Sequence, residues 1–396
     1  MQRRVTLREV CDTVEYGYTA SSDSQQIGPK FLRITDIVPD LIDWNAVPYC
    51  PIEPSKLEKY RLKTGDIVIA RTGATTGWAK YIQDPPEAVF ASYLIRIQPS
   101  ADVDARFIGF LVESAGYKEF IQRHMGGAAQ PNANAQILTS FDFDLPDLPT
   151  QRRIAGILSA YDELIANNQR RIAALEQMAR ALYREWFVYF RAPGAVMGGG
   201  ELPEGWEVKR LDEITDSVRS SVAKGELDEE VPYLGLEHIP RRSLALDAWE
   251  YSRDLGSSKL LFKKGDVLFG KIRPYFHKVS VAPFDGLCSS DTIVIRAKTD
   301  RYHALATCCA SSDEFVAHAT ATSNGSKMPR ADWKVLRDYP VAVPPEELLS
   351  KFSAFVDNAI EQMQTLIFQT ANLRRTRDLL LPRLMNGRVE VNTIEA

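Results

Sequence analysis

The sequence is poor in the residues that most enzyme chemistry needs. Its 396 residues hold five histidines and five cysteines, and neither set is spaced for work. His124, His238, His277, His303 and His318 form no HExxH or HxH pair. Cys11, Cys50, Cys288, Cys308 and Cys309 have neither zinc-ligand spacing nor an even disulfide framework. No metal site is therefore expected, and a reducing, cytoplasmic compartment is. No apolar run approaches the roughly 18–20 residues of a membrane span. "MQRRVTLREV" at the start has no apolar stretch behind its basic residues, so it does not read as a secretion signal. There is no GxxxxGK[ST] phosphate loop and no GxGxxG dinucleotide fingerprint. "EVK" (207–209) would fit the end of a nuclease PD-(D/E)xK site, but no aspartate at strand distance precedes it. No catalytic residue is expected, and no cofactor bound by this chain.

Positive charge is also short overall. The net charge of −4 excludes a uniformly basic, non-specific nucleic-acid binder. Locally the balance reverses. Lys59, Arg61, Lys63, Arg71 and Lys80 face only Asp66 between 59 and 80. Lys259, Lys263, Lys264, Lys271, Arg273 and Lys278 face only Asp266 between 259 and 280. Both patches surround one short signal, written "KTGDIVIARTG" at 63–73 and "KKGDVLFGKIR" at 263–273.

The surroundings of that signal repeat too. "FLRITDI" (31–37) matches "YLGLEHI" (233–239) as an alternating, strand-like stretch, and "FASYLIRI" (90–97) matches "CSSDTIVIRA" (288–297). "GGAAQPNANAQIL" (126–138) faces "NGSKMPRADWKVL" (324–336), with Gly127 and Gly325, Pro131 and Pro329, and Leu138 and Leu336 all 198 residues apart. Order and offset together predict an internal duplication. "DPPE" (84–87) resembles an amino-methyltransferase [DN]PP[YF] motif, but Glu87 stands where the base-stacking aromatic is required, and it reads as a turn.

Each copy ends in a long helical pattern. Ile154, Leu158, Tyr161, Ile165, Asn168, Ile172 and Leu175 alternate steps of four and three, the spacing of a coiled-coil seam. Phe352, Val356, Ala359, Met363, Leu366, Thr370 and Leu373 follow the same rule in the second copy. Thr150 is expected to cap the first helix, and Pro382 to end or kink the second. Two helices of about 35 residues, about 50 Å each, most simply bury their stripes against each other, antiparallel. Asn168 either fixes their register or marks a solvated gap. "APGAVMGGG" (192–200) reads as a flexible linker. The predicted layout is an α+β chain with a first domain over 1–150, a spacer helix over 151–190 and a linker over 191–200. A second domain over 201–345, a second helix over 346–386 and a tail over 387–396 follow, with pseudo-twofold symmetry.

Three stretches carry a family resemblance. "LPTQRRIAGILSAYDELIANNQRRIAALEQMARALYREWF" (148–187) resembles the central helix of the specificity subunits of type I restriction–modification systems. "LPEGWEVKRLDEI" (202–214) is similar to the opening of their second target-recognition domain, and "LRRTRDLLLPRLMNGRVEV" (373–391) to their C-terminal helix. The resemblance implies a non-catalytic subunit in which each domain reads one half of a split site on double-stranded DNA. It implies two methyltransferase subunits as partners, bearing S-adenosylmethionine, and restriction subunits using ATP and Mg. The alternative is a coiled-coil scaffold with two protein-binding heads. In the DNA reading, the residues leaving the repeated strand are candidate contacts, since Arg can fork onto guanine and Lys can hold phosphate. They are Arg71, Thr72 and Lys80, then Lys271, Arg273 and Lys278. Ser92 and Ser290 stand at matched positions. Asn132, Asn134 and Gln136 in the first loop, and Ser326, Lys327 and Arg330 in the second, complete the set.

Overall fold

The computed structural model describes residues 3–125, 132–197, 202–225, 227, 229–253 and 256–385. Gly127, Pro131, the end of the linker and the tail over 387–396 lie outside them. The chain divides into two compact units, Met1–Ala166 with Leu373–Ala396, and Asn167–Asn372. Both long helices run through both units.

In the first unit a four-stranded antiparallel sheet runs in the order Cys11–Tyr16, Leu94–Pro99, Ile67–Ala70, Ala79–Tyr81. All four residues of Ile67–Ala70 are buried, because this central strand is covered on both faces. Alternation sorts them between two cores. Ile67 and Ile69 join Phe107, Ile108 and Val112 of the helix Ala105–Glu113, whereas Val68 and Ala70 join Leu32, Phe90 and Leu94. Lys30–Leu32 pairs in parallel with Ala88–Phe90, and Arg3–Thr6 pairs antiparallel with Asp142–Leu145. The strand-like stretch 31–37 is shorter than its alternation predicts. It turns helical at Ile34–Ile37, where the Asp36 carboxylate accepts the Arg33 N–H at 2.8 Å.

The second unit repeats this topology. Its four-stranded sheet runs Thr215–Val218, Thr292–Ala297, Val267–Gly270, Val279–Val281. Val267 and Phe269 face one core, Leu268 the other. Val231–Leu234 pairs in parallel with Gly286–Cys288, and Glu207–Arg210 pairs with Pro340–Val343. Three further strands, Ser221–Val222, Lys259–Phe262 and Glu250–Ser252, widen the parallel pair to a five-stranded sheet.

The first long helix spans Leu148–Tyr183 and continues through the looser turn Arg184–Val188; the second spans Glu346–Met385. The first begins before Thr150, whose N–H is accepted by the Asp147 carboxylate at 2.9 Å, so Asp147 supplies the cap. The second runs on past Pro382 to Met385. In the first unit Ile154 and Leu158 share a core with Leu384, and Arg377 donates to Asp162 at 2.6 Å. Higher numbers on one helix meet lower numbers on the other, so the pair is antiparallel. In the second unit Phe187 packs edge-on against Phe352 at 4.7 Å, and Val356, Ile360 and Met363 extend that core. Ile165, Asn168, Leu366 and Thr370 are buried on the seam, and Tyr161, Ile172, Leu175 and Leu373 are half-buried. Among the described residues no helix is long and apolar enough to cross a membrane.

Candidate nucleic-acid interface

The repeated glycine–aspartate pair is a fixed turn that sets up the strand behind it. Gly65 and Gly265 sit at φ of +100° and +88°, a left-handed conformation that glycine adopts without strain. The following aspartates, Asp66 and Asp266, are each 3 % exposed and turn inward. Asp66 accepts from the Lys63 N–H at 2.9 Å and from Gln98 at 2.8 Å, with Arg96 3.4 Å away. Asp266 accepts from the Lys263 N–H at 2.7 Å and twice from Arg296. This framework fixes where the next strand ends.

At that strand end both copies make the same backbone junction. Arg71 donates its N–H to Tyr93 O at 2.9 Å and accepts from Ala133 N at 2.8 Å; Lys271 donates to Asp291 O at 2.8 Å and accepts from Ala331 N at 3.0 Å. Thr72 bridges to Asn132, and Ile272 to Arg330. Strand exit and loop, distant in sequence in both copies, are thus stitched into one edge.

In the first unit this edge gathers Arg71, Thr72, Ser92 and Asn132. The Arg71 guanidinium donates to Asn132 Oδ1 at 3.1 Å and lies 4.9 Å from the Tyr16 ring, while its Nε is buried without a partner. Asn134 caps the helix Ala135–Thr139 by accepting the Ile137 N–H at 2.8 Å. Gln136 is exposed on a shallow hollow beside Thr6 and Arg8. Lys80 stands apart from this edge. Largely buried, it reaches Asp40 O at 3.2 Å and Glu113 at 3.4 Å.

In the second unit Lys271, Arg273, Ser290, Ser326, Lys327 and Arg330 share one edge. Asn324 and Arg330 exchange two backbone hydrogen bonds, of 3.0 and 2.9 Å, closing a loop that leaves Ser326 and Lys327 exposed. Lys271 donates to Ser290 O at 2.6 Å, and burial lowers its pKa. Arg330 lies 3.5 Å from Asp291. Lys278 is half-buried and bonded to Leu236 O; burial, then the charge of Arg241, lowers its pKa. Residue patterns did not single out Tyr16, Tyr93, Arg241 or Tyr275. Tyr93 and Tyr275 are half-exposed on these edges, and an aromatic beside a basic strand exit was the available signal.

The geometry is duplicated: each of the two α+β units presents an edge in which a strand exit is stitched to a loop by the same backbone bonds. Residues 5–177 match the model of the type I restriction modification DNA specificity domain. The chain is 24 % identical over 315 residues to the type I restriction enzyme MjaIX specificity subunit of Methanocaldococcus jannaschii, covering 75 % of this chain and 72 % of that one. It is 26 % identical over 185 residues to the EcoDI specificity subunit of Escherichia coli, covering 44 % and 41 %. A crystal structure of the type I restriction–modification S subunit from M. genitalium shares the fold, with a TM-score of 0.59 at 12 % identity over 97 % of this chain and 96 % of that one. The first half of the chain thus matches this domain family, and most of the chain is similar to one of these specificity subunits.

Proposed function

We propose that this chain is the sequence-specific DNA-recognition subunit of a type I restriction–modification complex, each unit reading one half of a bipartite site. The observation that carries the reading is the stitched edge itself, built twice from the same backbone bonds but dressed with different side chains: Arg71, Thr72 and Asn132 in one unit, Lys271, Ile272 and Arg330 in the other. A shared frame with divergent tips is what two readers of different sequences need. Arginine can fork onto guanine O6 and N7, asparagine onto adenine, and lysine holds phosphate. The chain itself catalyses nothing in this reading. Methyltransferase subunits docked on it supply S-adenosylmethionine chemistry, restriction subunits supply ATP- and Mg-dependent steps, and the complex works in the cytoplasm.

Selection from a random duplex library, with the chain alone and with its neighbouring methyltransferase, tests this directly. A bipartite consensus is expected. Arg71→Ala should weaken the selected sequence by about 1–3 kcal/mol, relaxing one half-site only. Failure to select any sequence would favour a protein-binding scaffold.

A further inference from the structure

The turn that follows the repeated strand is built in two ways, and the difference is informative. In both copies the backbone closes alike. Ala70 donates its N–H to Trp78 O at 2.7 Å, and Gly270 to Lys278 O at 2.8 Å; within the turn, Thr76 donates to Gly73 O at 3.1 Å and Phe276 to Arg273 O at 2.8 Å. Both turns need two left-handed residues. The first copy uses Gly73 and Gly77, at φ of +80° and +88°. The second uses Arg273 and His277, both at +51°. A side chain in this region carries a backbone penalty that glycine avoids. The first copy is therefore an internal control for how this turn is made without strain.

Packing does not force the choice at the first of these positions, although at the second a Cβ on Gly77 would come within 3.1 Å of Ile121. A Cβ placed on Gly73 would meet nothing within 4 Å, so space exists there for either solution. His277 has an internal task, since its ring is 1 % exposed and its Nε2 lies 2.9 Å from Ser311 O. Arg273 has none of comparable kind. Its Nε is buried without a hydrogen-bond partner, and its half-buried guanidinium rests 5.7 Å from the Phe276 ring. No carboxylate pairs with it among the described residues. Its own N–H is fixed to Pro329 O at 2.8 Å, which holds the turn against the exposed loop 324–330. Beside it Tyr275 is 51 % exposed, and Arg241 stacks over Phe276 at 4.0 Å.

We propose that Arg273–His277 is the base-reading tip of the second unit, with Arg273 contacting a guanine edge and Tyr275 flanking that base pair. Backbone strain is retained there because the arginine is needed on DNA. The inference rests on the DNA-recognition reading and goes beyond it in assigning one turn and one base type. Arg273 shares its geometry with a glycine that the fold would accept, so function and folding make opposite demands at one position.

The test uses the full chain with its methyltransferase partner, comparing wild type, Arg273→Gly and Arg273→Lys. Arg273→Gly should raise the thermal midpoint by about 2–4 °C by removing the strain. It should weaken the selected duplex roughly 10- to 150-fold, with one G·C position of one half-site becoming degenerate. Arg273→Lys should keep non-specific affinity and lose the guanine preference, since lysine lacks the planar fork. An unchanged consensus in Arg273→Gly would overturn the proposal, as would a lower midpoint. Equal weakening on all sequences, with a salt slope smaller by about one, would make Arg273 a phosphate contact and also overturn it. If wild type selects no sequence at all, the DNA-recognition reading falls, and this proposal with it.

Discussion

Arg296 donates two hydrogen bonds, each of 2.7 Å, to the two carboxylate oxygens of Asp266. The carboxylate also receives the Lys263 N–H, so one inward-facing side chain ties the turn to the neighbouring strand. Asp66 and Arg96 occupy the matching places in the first unit, where Arg96 further donates to Arg61 O at 2.7 Å. Removing the carboxylate leaves the Lys63 or Lys263 N–H without its acceptor, takes both carboxylate bonds from Arg296 in the second unit, and takes the Gln98 bond and the Arg96 charge partner in the first. Asp66→Ala and Asp266→Ala should each cost about 2–3 kcal/mol, read as a lower urea midpoint at unchanged slope.

His303 makes the second unit sensitive to pH. Its Nδ1 lies 2.6 Å from the Asp357 carboxylate and its Nε2 lies 2.9 Å from Gly265 O, so both nitrogens face acceptors, an arrangement that favours the doubly protonated ring. Burial alone would lower the pKa. The hydrogen bond and charge of Asp357 outweigh it, with help from Gly265 O and Asp300, and raise the value. A raised folded pKa means that the stabilisation is complete below the unfolded value near 6.5 and is lost as pH rises through the folded value. Urea midpoints should therefore fall across this window in wild type. His303→Gln should flatten that fall.

Asn134 has a visible job as a helix cap. Asp332, 198 residues later, accepts the Lys334 N–H at 3.0 Å and caps the matching short helix. The duplicate therefore shows that aspartate serves at this place. Asn134→Asp should leave stability unchanged within experimental error, whereas Asn134→Ala should cost about 1 kcal/mol. Chemical denaturation of the two variants checks both values.

Much of this architecture was legible because periodicity and repetition are written locally. The four–three spacing marked both long helices, and the glycine–aspartate echo marked equivalent turns in equivalent sheets. What escaped were partners distant in the chain. Nothing near Asp66 identifies Arg96 as its neighbour, since that contact arises only when strands 30 residues apart pair. Ser221–Val222 and Glu250–Ser252 are too short and too mixed to announce themselves as strands. Tyr16 comes under Arg71 through the packing of the sheet edge. The left-handed backbone at Arg273 was equally hidden, because its sequence carries no glycine there to betray it.

Asn168 is 6 % exposed on the helix seam, which decides against a solvated gap. A buried amide at such a position typically lowers stability while favouring one register, because alternative alignments leave it facing apolar side chains. Asn168→Leu should accordingly raise the urea midpoint, by about 1 kcal/mol in free energy. If the amide also selects the register, that gain comes with a loss of uniqueness. Library selection with Asn168→Leu should then return more than one gap length between the half-sites, where wild type returns one. A single, unchanged gap together with higher stability would leave Asn168 without a register role.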